Sequence, residues 1–297
     1  MQCMINGKDF IYNDNIRDNI ELRKSFNHLC RKVFDLSFED WWEEGYWTEK
    51  YIPHVLIKDN KVVANVSVNL VTFLFEGKRK NYVQLGTIMT DPKYRGQGLC
   101  RWLMEKVLDK YKDNCDDIYL FANNSVLDFY PRFGFKKADE YQYLLPVTQK
   151  KGKARKIDIS NPFDRDLLIE TYYKSNPYSA FSMEKNVGLL MFYCLQFLKN
   201  DIYYIDDYKA IIIAQQERDK LICYDIFCDK ERCEIVNLLS IIAEKHTKTA
   251  VLGFTPKNFR DLNPLKVKEE DTTLFVFEKG ENLCDNNKIM FPLLSHA

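Results

Sequence analysis

The sequence lacks an excess of charge of either sign, because 43 lysines and arginines balance 43 aspartates and glutamates. We therefore expect no nucleic-acid partner held by general electrostatic attraction. No run of about 18 consecutive apolar residues occurs, so the sequence predicts no membrane-spanning helix. The amino-terminal residues, MQCMINGKDFIYNDN, lack the basic-then-apolar pattern of a secretion signal. We therefore expect a cytoplasmic protein.

Paired cysteine spacing is also missing. The nine cysteines are an odd number without a framework pattern, which indicates buried thiols in a reducing compartment. Cys223, Cys228 and Cys233 recur every five residues. In zinc sites the paired ligands are instead about two to four residues apart. The sequence therefore predicts no metal site.

Apolar residues make up 46% of the 297 residues, and aromatic residues make up 14%. This content is enough for two domains with hydrophobic cores. The stretch 82–109 predicts a strand, a glycine-rich turn and a helix. Asp91-Pro92 ends the strand, and apolar residues recur at helical spacing from Leu99. Glycines allow close backbone approach to a ligand, and a helix N-terminus attracts a pyrophosphate.

A glycine-rich turn alone has several interpretations, one of them a tight turn without any ligand. A Walker A loop needs Gly-Lys-Ser/Thr, which is absent here. A dinucleotide fingerprint needs G-x-G-x-x-G, and only Gly96-Gln97-Gly98 is present. These two nucleotide-binding loops are therefore disfavoured.

The pattern Arg95-x-x-Gly98-x-Cys100 resembles the acyl-CoA pyrophosphate loop of the GNAT N-acetyltransferases, R/Q-x-x-G-x-G/A. Cys100 stands where that family usually has Gly or Ala, and we expect the loop to accept the small cysteine with a slightly tighter fit. Residues 123–135 are similar to the family segment N-x-x-A-x-x-F-Y-x-x-x-G-F, with Val126 at the small-residue position. The predicted order of elements over about residues 10–146 is similar to that of the family as well.

The resemblance implies an acyl-CoA site with a direct transfer to an amine. The backbone of the 88–90 segment would pair with the pantetheine arm, and an N–H near Met89 would polarise the thioester carbonyl. Tyr130 would be the catalytic residue, a general acid that protonates the CoA thiolate. The predicted cofactor-binding residues are Ile88, Met89, Thr90, Arg95, Gly96, Gln97, Gly98, Leu99, Cys100, Arg101 and Asn123.

The sequence does not identify the group that takes the proton of the attacking amine. Candidates by position are Glu43, Glu44, Asp91 and Asp128, and His296 is another if the second lobe folds over the cleft. Each is also explained as a surface or capping residue. The segment 38–52 combines three tryptophans with several glutamates. It is either an acceptor wall for a cationic amine or a surface helix whose aromatic side packs on the sheet.

The second half repeats the predicted order of helices and strands. We therefore expect an α/β fold with a mixed sheet and tandem lobes: 1–147 as the GNAT domain, 148–156 as a basic linker and 157–297 as a diverged GNAT-like domain. No glycine lies between Gly188 and Gly253, so the second lobe lacks a phosphate cradle and is expected to be degenerate. One active site per chain is predicted.

The expected function is an N-acetyltransferase with acetyl-CoA as acyl-donor co-substrate. The acceptor is left open between a small-molecule amine, a peptide N-terminus and a lysine. The alternative is a non-catalytic CoA-binding sensor or a partner-binding module. Oligomeric state and the length of the acyl group are not predicted.

Overall fold

The computed structural model describes residues 1–268, 270–277, 279 and 283–296. The predicted second domain, 157–297, also contains residues 269, 278, 280–282 and 297, which lie outside the described residues. Among the described helices, none is long and apolar enough to cross a bilayer.

The elements of the first half follow the predicted order closely. They are β1 (Gln2–Ile5), β2 (Lys8–Asn13), α1 (Ile20–Phe34), α2 (Glu39–Glu43), β3 (Tyr51–Lys58), β4 (Lys61–Phe75), β5 (Lys78–Thr90), α3 (Leu99–Tyr111), β6 (Asp117–Ala122), β7 (Phe135–Lys137) and β8 (Tyr141–Pro146). The sequence of residues 124–131 predicts a short helix, but the structure has 3-10 turns at Asn124–Val126 and Tyr130–Phe133.

The elements of the second half are β9 (Arg155–Lys156), α4 (Pro162–Tyr172), β10 (Ser179–Glu184), α5 (Val187–Gln196), β11 (Ile202–Ile205), β12 (Ala210–Glu217), β13 (Lys220–Phe227), α6 (Ile235–Ile242), β14 (Thr249–Leu252), β15 (Thr255–Pro256), β16 (Leu265–Lys266), β17 (Thr273–Phe277) and α7 (Leu283–Asn287). The end of the basic run 149–156 forms β9, which pairs with β11 at the edge of the second sheet. None of its residues lines the large cleft described below.

The first sheet has the order β1-β2-β3-β4-β5-β6-β17-β7, with β10 added to β4. Strand β5 pairs antiparallel with β4 as far as Thr90, whereas it pairs parallel with β6 only from Tyr82 to Leu85. Beyond Leu85 the two strands no longer share a ladder. The sheet therefore opens between the ends of β5 and β6.

The second sheet has the order β16-β8-β14-β13-β12-β11-β9, and the two sheets exchange strands. The sequence of residues 141–145 predicts a strand that closes the first sheet, but as β8 it pairs with β14 and β16. Conversely β17, from the second half, lies between β6 and β7. An apolar alternation predicts a strand but does not specify its partner, which is why these pairings differ. The division at 147 and 157 stays a prediction.

Aromatic residues of the second half pack directly on the first sheet. The ring of Phe291 stacks on Tyr119 at 4.0 Å, and Phe181 contacts Phe73 at 4.6 Å. The Tyr119 hydroxyl donates to the carbonyl of Ser295 at 3.1 Å. The carboxy-terminal segment is thereby held against the face of the first sheet, next to the opening between β5 and β6.

Candidate active site

A cavity of about 840 Å³ occupies the opening between β5 and β6. Its walls come from the end of β5, the glycine turn, the start of α3 and the segment after β6. The predicted site residues that line it are Ile88, Met89, Thr90, Arg95, Gly96, Gly98, Leu99, Cys100, Arg101, Asn123 and Tyr130. Residues far apart in sequence thus meet in one cleft.

Gln97 is the one predicted site residue that does not line this cavity. Its side-chain oxygen accepts from Lys8 Nζ at 2.9 Å, and its carbonyl accepts from Asn6 Nδ2 at 2.9 Å. These bonds tie the glycine turn to the hairpin of β1 and β2. A role for Gln97 in binding CoA stays a prediction.

The turn before α3 has the conformation that its glycines make accessible. Gly96 has φ +74° and Gly98 has φ +81°, both in the left-handed region that favours glycine. Gly98 is the N-cap of α3, so the free N–H groups of the first helical turn follow it directly. A Cβ at Gly98 would lie 2.9 Å from Asn6 Nδ2, whereas one at Gly96 would meet nothing within 4 Å.

A bulge near the end of β5 shapes the cleft. The register of β4 against β5 shifts between Asn65 and Ser67, and Thr87 has φ +47°. Asn65 Nδ2 donates to the carbonyl of Thr87 at 2.7 Å, and the Tyr51 and Thr87 hydroxyls lie 2.8 Å apart. These contacts stabilise a backbone conformation that a threonine rarely adopts.

Sequence reasoning missed this bulge. In the sequence, Asn65, Ser67 and Asn69 alternate with Val66, Val68 and Leu70, a pattern that predicts a half-buried strand. In the structure all three polar residues are buried. Three small polar residues on alternate positions of a long strand are a signal that could have indicated a buried polar row.

Tyr130 is buried at the floor of the cleft, with its ring 5.6 Å from that of Phe275. Burial raises its pKa, so its hydroxyl keeps its proton at neutral pH. Burial likewise raises the pKa of the Cys100 thiol to about 12. Both side chains are therefore neutral in the cleft.

A second cavity, of about 510 Å³, adjoins the first and shares Leu36, Thr87 and Phe121 with it. Its other lining residues come from both halves of the chain: Phe38, Trp41, Tyr51, Leu189, Phe192, Tyr193, Phe197, Leu198, Tyr224 and His296. The cavities meet at the end of the bulged strand. This geometry suits two substrates that react with each other.

Of the five candidate bases, His296 is the one that lines this second cavity among the described residues. Its ring stacks on Phe121 at 3.8 Å, and burial lowers its pKa to about 4. Glu44 pairs with Arg165 at 3.0 Å, and Asp91 pairs with Lys32 at 2.9 Å. Glu43 and Asp128 are exposed, and neither lines either cavity.

Within the described ranges, no group of three histidine, cysteine, aspartate or glutamate residues is arranged to hold a metal ion. No disulfide bond joins the nine cysteines, all of which lie in the described ranges.

A mixed sheet that opens beside a glycine turn and a helix N-terminus is the arrangement that the resemblance to acyl-CoA N-acyltransferases implies. Residues 13–135 match the model of the Acetyltransferase (GNAT) family. This part of the chain is a GNAT acetyltransferase domain, and the protein is an acyltransferase. The predicted family, fold class and enzyme class are confirmed. Members of this family take the acetyl group from acetyl-CoA.

Known relatives support the same assignment. N-alpha-acetyltransferase 30 of Saccharomyces cerevisiae is 22% identical over 121 residues, which are 35% of this chain and 68% of that protein. A probable N-acyltransferase of unknown function from Enterococcus faecalis V583 has a TM-score of 0.57 at 14% identity, covering 90% of this chain and 72% of that one. Eis1 from Mycobacterium abscessus has a TM-score of 0.54 at 12% identity, covering 89% and 72%. The two structures share the fold across both halves.

Proposed function

We propose that the protein transfers the acetyl group of acetyl-CoA directly to an amine bound in the second cavity, with Tyr130 as the general acid. The observation that carries this proposal is the junction of the two cavities at Leu36, Thr87 and Phe121. A thioester in the first cavity and an amine in the second can approach there without a covalent enzyme intermediate. Their positioning contributes much of the rate.

The CoA pyrophosphate binds at the turn 95–101, where backbone N–H groups and the helix dipole favour its negative charge. Arg95 and Arg101 add positive charge at the rim of the cleft. The pantetheine amides pair with the backbone of 88–90, as an added strand would, and Asn123 contacts the arm from the opposite wall. Gln97 positions the turn, because it accepts hydrogen bonds from Asn6 and Lys8 of the β1–β2 hairpin.

In the reaction, the amine nitrogen forms a bond to the thioester carbon while a backbone N–H near Met89 stabilises the developing oxyanion. The C–S bond then breaks, and the CoA thiolate takes the proton of the Tyr130 hydroxyl. The excess proton of the new amide leaves through the second cavity to solvent, and the Tyr130 phenolate takes up a proton from solvent, which restores the acid. Because burial keeps Tyr130 protonated, the acid is ready in each cycle.

We also retain the division into residues 1–147, the linker 148–156 and residues 157–297 as a proposal. The carboxy-terminal lobe contributes α5 and His296 to the acceptor cavity. The junction between β13 and α6, residues 228–234, has no glycine and offers no second phosphate cradle. One catalytic site per chain follows.

Two measurements test the proposal. Millimolar acetyl-CoA should raise the Tm, because a ligand of the native state stabilises it by mass action. Release of free CoA with an amine, corrected for hydrolysis, should fall about 10²–10⁴-fold in Tyr130→Phe while the Kd for acetyl-CoA stays within a factor of about two. No Tm shift would refute an acyl-CoA site. Binding without CoA release for any amine would indicate the non-catalytic sensor instead.

A further inference from the structure

The second cavity is built from uncharged side chains. Its described lining consists of leucine, phenylalanine, tryptophan, tyrosine, threonine and one histidine. Because burial lowers the pKa of His296 to about 4, that imidazole is also neutral at pH 7. A ligand in this cavity meets no formal charge among the described residues that line it.

Four rings form a fixed box in one wall, made of Phe38, Trp41, Tyr51 and Phe192. The ring of Phe38 is 5.2 Å from Tyr51 and 5.4 Å from Phe192. The ring of Trp41 is 5.4 Å from each of the same two rings. Spacings of this size are those of favourable stacked and edge-to-face aromatic pairs. The box is thus formed before any ligand arrives.

One hydrogen bond locks the box across the two halves of the chain. Trp41 Nε1 donates to the carbonyl of Gly188 at 2.7 Å. A Cβ at Gly188 would lie 2.6 Å from the carbonyl oxygen of Tyr46, so glycine is needed for this close approach. The N-terminus of α5 is thereby held against α2.

The glutamates of the 38–52 segment do not belong to this wall. Glu39 pairs with Arg23 at 3.1 Å and Glu44 with Arg165 at 3.0 Å, while Glu43 and Glu49 are exposed. The aromatic part of the predicted acceptor wall therefore lines the cavity, but its acidic part does not. The carboxylates expected beside a cationic acceptor are absent from the described lining.

We infer that the acceptor is a primary amine whose body is an aromatic ring, bound with the ring against the box and the neutral amino group near Thr87. This inference rests on the proposed acetyl transfer. A ring gains apolar burial and stacking in such a wall. A polyamine would keep a second ammonium charge in a cavity without a described counter-charge, which is unfavourable, and a lysine side chain has no ring to stack against the box.

The test compares acceptors on the full chain at saturating acetyl-CoA, with CoA release as readout. The probes are 2-phenylethylamine, n-butylamine, spermidine and a short lysine peptide. We expect kcat/KM for 2-phenylethylamine to exceed that for each other probe by at least ~30-fold, and quenching of tryptophan fluorescence to report its binding directly. Higher kcat/KM for spermidine or the peptide, or absence of binding by the aromatic amine, would overturn the inference.

Substitutions in the cavity wall are compared with one outside it, which distinguishes an effect on acceptor binding from a general loss of folding. Phe197 lines the cavity but is 53% exposed, so Phe197→Asp should fold while adding a charge. It should lower kcat/KM for 2-phenylethylamine about tenfold and raise it for spermidine. Phe192→Leu should raise KM for the aromatic amine more than it raises KM for n-butylamine, which has no ring to stack. Phe163→Ala, at a residue 85% exposed outside the cavity, is the matched control.

Different results would refute the proposed acetyl transfer and the aromatic acceptor. If acetyl-CoA does not raise the Tm, the proposed function falls. If acetyl-CoA binds and an aliphatic or cationic amine is the preferred acceptor, acetyl transfer stands and the aromatic acceptor is refuted. Equal effects of Phe197→Asp on all acceptors would also refute it.

Discussion

Replacing Gly98 by alanine should weaken acetyl-CoA binding more than the same replacement of Gly96. Both residues have positive φ, so either alanine costs about 1–2 kcal/mol of backbone strain. At Gly98 the new methyl group would also lie 2.9 Å from Asn6 Nδ2. The Asn6 side chain must then move and give up its bond to the Gln97 carbonyl, at about 1 kcal/mol.

The expected totals are a loss of about 1–2 kcal/mol in unfolding free energy for Gly96→Ala and about 2–3 kcal/mol for Gly98→Ala. Because the turn shifts, we expect the Kd for acetyl-CoA to rise about tenfold in Gly98→Ala and about two- to threefold in Gly96→Ala. Isothermal titration calorimetry measures the Kd, and urea unfolding measures the stability.

A second substitution tests whether the collision is the cause. Asn6 itself has φ +48°, so Asn6→Gly keeps the hairpin turn accessible and removes the colliding amide. In the Asn6→Gly background, Gly98→Ala should cost no more than Gly96→Ala, a coupling that a double-mutant cycle detects. If the excess cost at Gly98 persists, or the two glycines respond equally in the native background, the reasoning about this contact is wrong.

Two buried titratable groups predict opposite pH trends in stability. Burial raises the pKa of Asp225 to about 7, so its ionisation destabilises the folded state as pH rises from about 4 to 8. The amide of Asp225→Asn can still accept from Asn176 Nδ2 and from the Ile226 N–H. Relative to the native chain, the unfolding free energy of this variant should therefore be higher by about 1 kcal/mol or more at pH 8 than at pH 5. An equal difference at both pH values in urea unfolding would contradict this. Burial lowers the pKa of His54 to about 4, so its stabilising effect is present above pH 6.5 and is lost as pH falls through 6.5 towards 4. His54→Gln should therefore recover stability relative to the native chain by about 1 kcal/mol between pH 7 and 5, and a constant difference over that interval would refute the assignment.

The cleft was largely predictable because its motifs are local. The turn at 95–100 depends on glycine spacing, and Asn123 and Tyr130 follow in one short segment, so their order along the chain carries the signal. Gln97 shows the limit of this reasoning, since alternate residues of a turn point in different directions and the sequence alone did not show which one meets the hairpin.

The remaining features depend on contacts between distant parts of the chain. The apolar pattern at 141–146 or at 273–277 predicts a strand but does not depend on which sheet that strand joins. The exchange of strands between the two sheets was therefore not predictable from the periodicity of apolar residues. His296 was foreseen near the cleft only on condition that the second half folds over it. The bulge at Thr87 depends on a bond from Asn65, a residue on another strand whose burial was not apparent.

The insertion of β17 between β6 and β7 has a consequence for how the protein emerges during synthesis. Strands β6 and β7 are complete once residue 137 has been made, but their partner follows only at residue 277. At about 5–20 residues per second, this delay lasts on the order of 7–28 s. Throughout that interval both strands have unpaired edges, which are prone to pair with other chains. The nascent chain is thus expected to need protection by chaperones until the last strand of its catalytic sheet has left the ribosome.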